Sequence, residues 1–303
     1  MKISGFTTGY AMLVCYCLAL YSLPATAVQV MDDAGHQVSL VQPARRIISL
    51  APHITELLFA AGAGDAVVGT VSFSDYPAEA GRLPGVGDYA NLDIETIVAL
   101  QPDLVVAWQS GNSRPQVEQL ERLGLPVFYS EPRRLEDIAG NLERLGRLAG
   151  RETVAEAAAT RFRARYRRLG TRYAQAATIR VFYEIWQQPL MTVGGEHLIS
   201  QVIRLCGGEN VFSGLDTLAP TVNREAVLAA DPEVIIVAGP ASQRSQWLDA
   251  WRKWPRLAAV RQDQLYFIPP DLIQRQTPRV LDGAERMCEQ LEQARHARQP
   301  LNR

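Results

Sequence analysis

The sequence predicts an α/β protein of two similar halves, each carrying a largely parallel sheet, with one long helix between them. Three observations predict it. A helix–break–strand unit occurs twice, strands and apolar helices alternate in both halves, and a Pro-free helical stretch separates the halves.

The first 27 residues read as a secretory signal peptide. Lys2 gives the positive start, Tyr10 to Leu23 is apolar, and Ala25-Thr26-Ala27 is a small-residue cleavage site. Ser22 and Pro24 end the apolar run short of the roughly 20 residues that span a bilayer. Cys15 and Cys17 raise a lipoprotein alternative, but bulky Val14 and Tyr16 precede them where a lipidation signal wants a small residue. The mature chain is expected to begin at Val28 and to be exported and soluble.

Residues 28–150 form the first half. Val28 to Val41 alternates apolar and polar residues around Asp32-Asp33-Ala34-Gly35, which predicts a hairpin. Arg46 to Leu50 reads as a strand and Thr55 to Ala61 as a helix. Gly62-Ala63-Gly64 superficially resembles a dinucleotide loop, but it follows a helix instead of a strand and reads as a helix C-terminal turn.

The repeat lies further on. Glu95-Thr-Ile-Val-Ala-Leu-Gln-Pro-Asp-Leu-Val-Val-Ala107 matches Glu225-Ala-Val-Leu-Ala-Ala-Asp-Pro-Glu-Val-Ile-Ile-Val237 in character at every position. Each copy is a short helix with Glu in its first turn, a Pro-acid break and a buried β-branched strand. The first strand and helix of the second half are Thr178 to Tyr183 and Leu198 to Leu205.

Residues 151–177 read as one helix, rich in Ala, Arg and Glu and with Gly only at Gly170. At roughly 1.5 Å per residue such a helix is a stiff strut between lobes, so modest opening and closing is expected. Its Arg161, Arg165, Arg168 and Arg172 share one face, read as a solvated surface. Residues 178–293 form the second half, and 294–303 a flexible polar tail.

Composition excludes some functions. The chain has 303 residues and a net charge of −1 with both signs interspersed, so no nucleic-acid footprint is present. No nucleophile elbow, Walker loop or zinc-protease helix occurs, so no catalytic residue is assigned and the chain does not read as an enzyme. Four histidines are scattered. His53 and His197 precede matching helices, beside any cleft between the halves, and no metal cluster is assigned. Removing the signal leaves Cys206 and Cys288, an even pair in an oxidising compartment. A disulfide is the first reading, worth about 4–5 kcal/mol for so long a loop, with buried free thiols or a metal pair as alternatives.

Aromatic side chains fall where strands end. Phe73 and Tyr76 follow the Val67-Val68 strand, Tyr89 precedes the Glu95 helix, and Trp108 ends the next strand. Trp186 and Met191 occupy a comparable loop in the second half. Ligands of α/β sheets bind at the carboxyl ends of strands, so these side chains predict a cleft for a broad, flat, partly apolar molecule.

With these residues in hand, the chain resembles the periplasmic vitamin B12 (cobalamin)-binding proteins of ABC importers over nearly all of its mature length. The carriers are Arg46-Ile-Ile-Ser-Leu-Ala-Pro with Thr55-Glu56-Leu, Ser74-Asp75-Tyr76-Pro77, Ile97 to Trp108, Cys206-Gly-Gly-Glu-Asn210 with Cys288, and Arg224-Glu225. The resemblance implies two Rossmann-like lobes joined by a single long helix, with a corrinoid held one-to-one between them by a monomer that needs no cofactor of its own. It implies Phe73, Tyr89, Trp108 and Met191 as ligand contacts, to which the strand-end reading adds Trp186 and His53. Glu95 and Glu225 would dock into the inner-membrane permease dimer. Phe73, Tyr89 and Met191 differ in type from the best-known pattern, and Ala219 stands where a tryptophan is familiar. The same role for haem or a ferric siderophore, and more remotely an exported α/β hydrolase, are the alternatives.

Overall fold

The computed structural model describes residues 27–298. The expected signal peptide falls outside these described residues except for Ala27.

An antiparallel hairpin of β1 (Val28–Met31) and β2 (Gln37–Leu40) leads into the first lobe, as the alternation at Val28 to Val41 predicts. There follow β3 (Ile47–Ser49), α1 (Pro52–Ala60), β4 (Val67–Thr70), α2 (Ile94–Ala99), β5 (Leu104–Trp108), α3 (Arg114–Arg122), β6 (Val127–Ser130) and α4 (Leu135–Leu148). Proline at the first turn of α1 starts the helix without a missing hydrogen bond, and Gly62, at φ +81°, turns the chain out of it. The turn reading of Gly62-Ala63-Gly64 holds.

The long helix α5 (Glu152–Tyr173) comes next. The second lobe then runs β7 (Ile179–Glu184), β8 (Trp186–Gln187), β9 (Leu190–Met191), α6 (Leu198–Leu205), β10 (Gly208–Asn210), α7 (Arg224–Ala230), β11 (Val234–Val237), α8 (Arg244–Arg252), α9 (Ala258–Arg261), β12 (Leu265–Phe267) and α10 (Val280–Arg298).

Each lobe has its own parallel sheet, ordered β4-β3-β5-β6 in the first and β10-β7-β11-β12 in the second. The order is the same in both when strands are counted from the first of each lobe, so the internal repeat is a repeat of topology. Strands β3 and β11 are buried along their whole length, as expected of sheets covered by helices on both faces. The outer faces carry separate cores, Val105 and Val117 among one and Phe182, Val237 and Trp251 among the other. The inner faces share one core that runs from Val30 through Phe162 of α5 to Leu291.

Helix α5 is tied to both lobes. Arg163 pairs with Glu143 of α4, and the Tyr166 hydroxyl donates to Glu136 at 2.7 Å. On the other side Arg165 reaches Asp282 at 2.7 Å and Glu285 at 2.9 Å, both on α10. The expected solvated arginine face is therefore corrected in part: Arg165 and Arg168 serve as ties to the last helix.

Three boundaries also differ from expectation. The helix is shorter at each end than 151–177, and the tail expected from Ala294 is helical as far as Arg298. Ala294 and Arg295 are buried, and the Arg295 guanidinium donates to the carbonyls of Ala177 and Cys206, both at 2.6 Å. Cys206, closing α6, and Cys288, in α10, form a disulfide, which resolves the cysteine alternatives. Among the described residues, no helix is long and apolar enough to cross a membrane.

Candidate ligand-binding cleft

In an open parallel sheet the crevice for ligand lies outside the carboxyl ends of the strands, where the strand order reverses. Here that point falls between β3 and β5 in the first lobe and between β7 and β11 in the second.

The first switch point carries a cluster of rings. His53 lies in the first turn of α1, just beyond β3, and Trp108 ends β5. Their ring centroids are 5.2 Å apart at 85°, an edge-to-face contact, and Tyr89 stands 6.1 Å from Trp108. Phe73 is 76% exposed and holds a left-handed backbone, φ +66°, which costs energy for a bulky side chain. Its carbonyl accepts from Arg275 Nη2 at 3.3 Å, a contact from the second lobe.

The second switch point carries the other pair. Trp186 opens the β8–β9 hairpin, is 48% exposed, and lies opposite Met191 in the register. Buried Trp247 supports its ring edge-on at 6.0 Å. The structure thus groups His53, Tyr89 and Trp108 on one lobe and Trp186 with Met191 on the other. Among the described residues no aromatic contact joins the two groups directly.

His53 is a wall element more than an exposed contact. Its Nε2 is buried without a hydrogen-bond partner, and burial, reinforced by the charge of Arg275, pushes it down to about 3. The imidazole is neutral at any physiological pH. His197 instead caps α6, its Nδ1 accepting from Ile199 N–H at 3.1 Å, with burial pushing it to about 4. Among the described residues no group of three His, Cys, Asp or Glu side chains gathers as for a metal ion.

Ala219 lies between exposed Leu218 and buried Pro220 in a loop fixed beside the segment after Met191. Thr192 N–H donates to the Pro220 carbonyl at 3.0 Å and Gly194 N–H to that of Leu218 at 2.9 Å. Leucines, Leu215 and Leu218, are the large apolar side chains that this loop exposes.

Glu95 and Glu225 hold equivalent places. Each is the second residue of its helix, exposed, and follows a side-chain cap: Asp93 accepts from Thr96 N–H at 3.0 Å and Asn223 from Ala226 N–H at 2.8 Å. Neither glutamate enters an ion pair among the described residues.

A family model described as periplasmic binding protein matches residues 47–272. The chain belongs to the periplasmic binding proteins. Among curated relatives, the vitamin B12-binding protein of Vibrio parahaemolyticus is 38% identical over 258 residues, covering 85% of this chain and 93% of the relative. Among solved structures, the periplasmic vitamin B12 binding protein of Vibrio cholerae superposes with a TM-score of 0.78 at 38% identity, covering 84% of this chain and 98% of that one. The periplasmic heme-binding protein of Roseiflexus sp. RS-1 has a TM-score of 0.74 at 22% identity, covering 83% of this chain and 99% of that one, a likeness of fold alone.

In this periplasmic binding protein the lobes also meet through side chains that the sequence reading missed. Glu56 of α1 accepts from Arg275 at 2.8 Å and from Arg279 at 3.2 Å, both from the second lobe. Arg275 also reaches Asp75 at 3.0 Å and Asp271 at 2.9 Å, and Arg279 lies 3.9 Å over the Tyr76 ring. Burial raises the Glu56 carboxyl, with the two arginines opposing it. The available signal was a single acid inside the apolar run Ile54-Thr-Glu-Leu-Leu-Phe59, which calls for a buried cation somewhere in the chain. Gln201 of α6 also bonds Leu135 N–H at 3.2 Å and the Arg133 carbonyl at 2.8 Å, a second tie between lobes.

Proposed function

We propose that this periplasmic binding protein captures a corrinoid, cobalamin by preference, between its lobes and delivers it to an inner-membrane ABC importer without chemistry. The observation that carries the reading is the placement of Trp108 and Trp186 at the two switch points, each braced by a second ring. Such rings stack on a broad, flat molecule, each good contact adding about 0.5–1.5 kcal/mol beyond buried area. The near-complete cover of the vitamin B12-binding protein of Vibrio parahaemolyticus supports the same ligand class. Phe73, Tyr89 and Met191 complete the contact set, and His53 backs Trp108. Cobalamin is cargo here, and the protein needs no cofactor of its own.

The exposed pair Glu95 and Glu225 supplies the docking surface. Two equivalent anions on topologically repeated lobes suit a two-fold permease, and they act as a monomer's two contact points.

Calorimetric titration of the mature protein with cyanocobalamin tests the reading. One-to-one saturation at or below micromolar concentration is the expected result, and no heat at that concentration removes the assignment. Haem is the second reading, favoured by Ala219 standing in the cleft loop without a ring. The absorption spectrum of protein purified from its host separates the two, since corrinoids and haem differ in colour.

A further inference from the structure

We infer that Asn112 is the residue that positions Trp108, and with it the aromatic wall of the first lobe. The inference rests on Trp108 being a ligand contact.

Beyond Leu50, whose N–H donates to Val106 at 3.0 Å, the ladder between β3 and β5 stops, because the two chains part at the switch point. The next backbone groups would be left without partners at a largely buried place, which is costly. Asn112, 8% exposed, takes them up. Its Oδ1 accepts from Trp108 N–H at 2.6 Å, and its Nδ2 donates to the carbonyls of Leu50 and Tyr89, both at 2.8 Å. One amide, with both donors and its acceptor used, therefore joins the segments that carry His53, Tyr89 and Trp108.

The loop that brings Asn112 round also sets the indole. A Cβ on Gly111 would fall 1.9 Å from Trp108 Cε3, so the benzene half of the ring rests on the Gly111 backbone. Asn112 N–H in turn donates to the Trp108 carbonyl at 3.0 Å, closing the turn. Trp108 is thus gripped at its amide, its carbonyl and one ring face, while His53 meets it edge-on. A ring held in one pose loses little freedom when a ligand stacks on it, so its full contact energy appears as affinity.

The test is a double-mutant cycle read by cyanocobalamin titration, with circular dichroism confirming the fold of each variant. Asn112→Ala is expected to weaken binding by about tenfold or more, as is Trp108→Ala. In the Trp108→Ala background, Asn112→Ala should change affinity less than about twofold, because no ring remains to be positioned. Equal losses in both backgrounds would show a general structural role and overturn the inference. So would an Asn112→Ala variant that binds as the unchanged protein does while Trp108→Ala is weakened. Trp108→Ala binding at full strength, with the unchanged protein saturating, would remove the ring's role and the inference together, leaving the corrinoid assignment standing. Asn112→Ser, which keeps a polar group in the space, runs the same cycle if the alanine variant does not fold.

Discussion

Glu56 and Arg275 meet at 2.8 Å across the lobe boundary, and only 2% of the glutamate side chain is exposed. One comes from the first helix of the first lobe, the other from the segment just before α10. A buried pair of this kind contributes little net stability against an apolar substitute, but breaking it strands a charge. Arg275→Ala is therefore expected to cost about 3 kcal/mol, since Arg279 alone remains to balance Glu56. Glu56→Gln should cost less, because the amide oxygen still accepts from Arg275 and Asp75 and Asp271 still neutralise it. Urea unfolding of both variants checks the order, and a more damaging Glu56→Gln would contradict it.

The two neutral histidines give a pH dependence with a definite sign. His53 is pushed to about 3 and His197 to about 4, below the ordinary 6.5. Between those values the unfolded chain binds more protons than the folded one, so stability is full above 6.5 and falls as the pH drops. The slope is about 1.4 kcal/mol per pH unit for each histidine. His53→Asn should remove about half of this part of the slope between pH 6 and 4.5. Thermal melts across that range decide it, and an unchanged slope would show that His53 is not held neutral.

Glu184 acts in the opposite sense. It ends β7, is fully buried, and burial pushes it up to about 7, while Trp251 Nε1 donates to its Oε2 at 2.5 Å and Oε1 has no partner. The folded state holds its proton between pH 4.5 and 7, so its contribution is full below 4.5 and lost as pH rises through 7. Glu184→Gln keeps an acceptor for Trp251 and carries no charge. It should gain up to about 3 kcal/mol at pH 8 and nothing near pH 4.5. Denaturation at the two pH values reads the difference directly, and equal effects at both would reject the shift.

Much of the fold was legible because strands buried on both faces read as continuous apolar runs rich in β-branched residues, as Leu104-Val-Val106 and Val234-Ile-Ile-Val237 do. The rings at strand ends were legible for the same reason: once the strands are placed, Trp108 and Trp186 fall at their carboxyl ends. What stayed hidden depends on approach between distant parts of the chain. Glu56 and Arg275 are 219 residues apart, and nothing local announces which cation answers the buried acid. Arg295 looked like part of a frayed basic tail, yet it is buried because its guanidinium satisfies carbonyls of two other segments. Nothing local marks Asn112, because its partners are the end of β5 and the carbonyls of Leu50 and Tyr89, 62 and 23 residues away.

The Cys206–Cys288 disulfide closes a loop of 82 residues, between the end of α6 and the middle of α10. Restricting the unfolded chain over that length is worth about 4–5 kcal/mol in the chain-entropy model. Cys206→Ala with Cys288→Ala should therefore lower unfolding free energy by about 2–5 kcal/mol, and reducing agent should have no further effect on the double variant. A loss of stability in reductant that persists in the double variant would assign it to some other cause.

Substitutions at the two glutamates test delivery apart from capture. Glu95 and Glu225 stand exposed on α2 and α7, and the side-chain caps of those helices are supplied by Asp93 and Asn223. As first-turn acids they favour each helix by about 0.3–1 kcal/mol, a small loss on truncation. If their charge serves a basic receptor, Glu95→Ala with Glu225→Ala should abolish import while cyanocobalamin affinity stays within about twofold. Each single variant should retain part of the import, since one anchor remains. The arms are read by uptake of labelled cobalamin in cells that express each form, with calorimetry on the purified proteins. Normal uptake by the double variant would reduce both glutamates to helix decoration and move the docking surface elsewhere on the lobes.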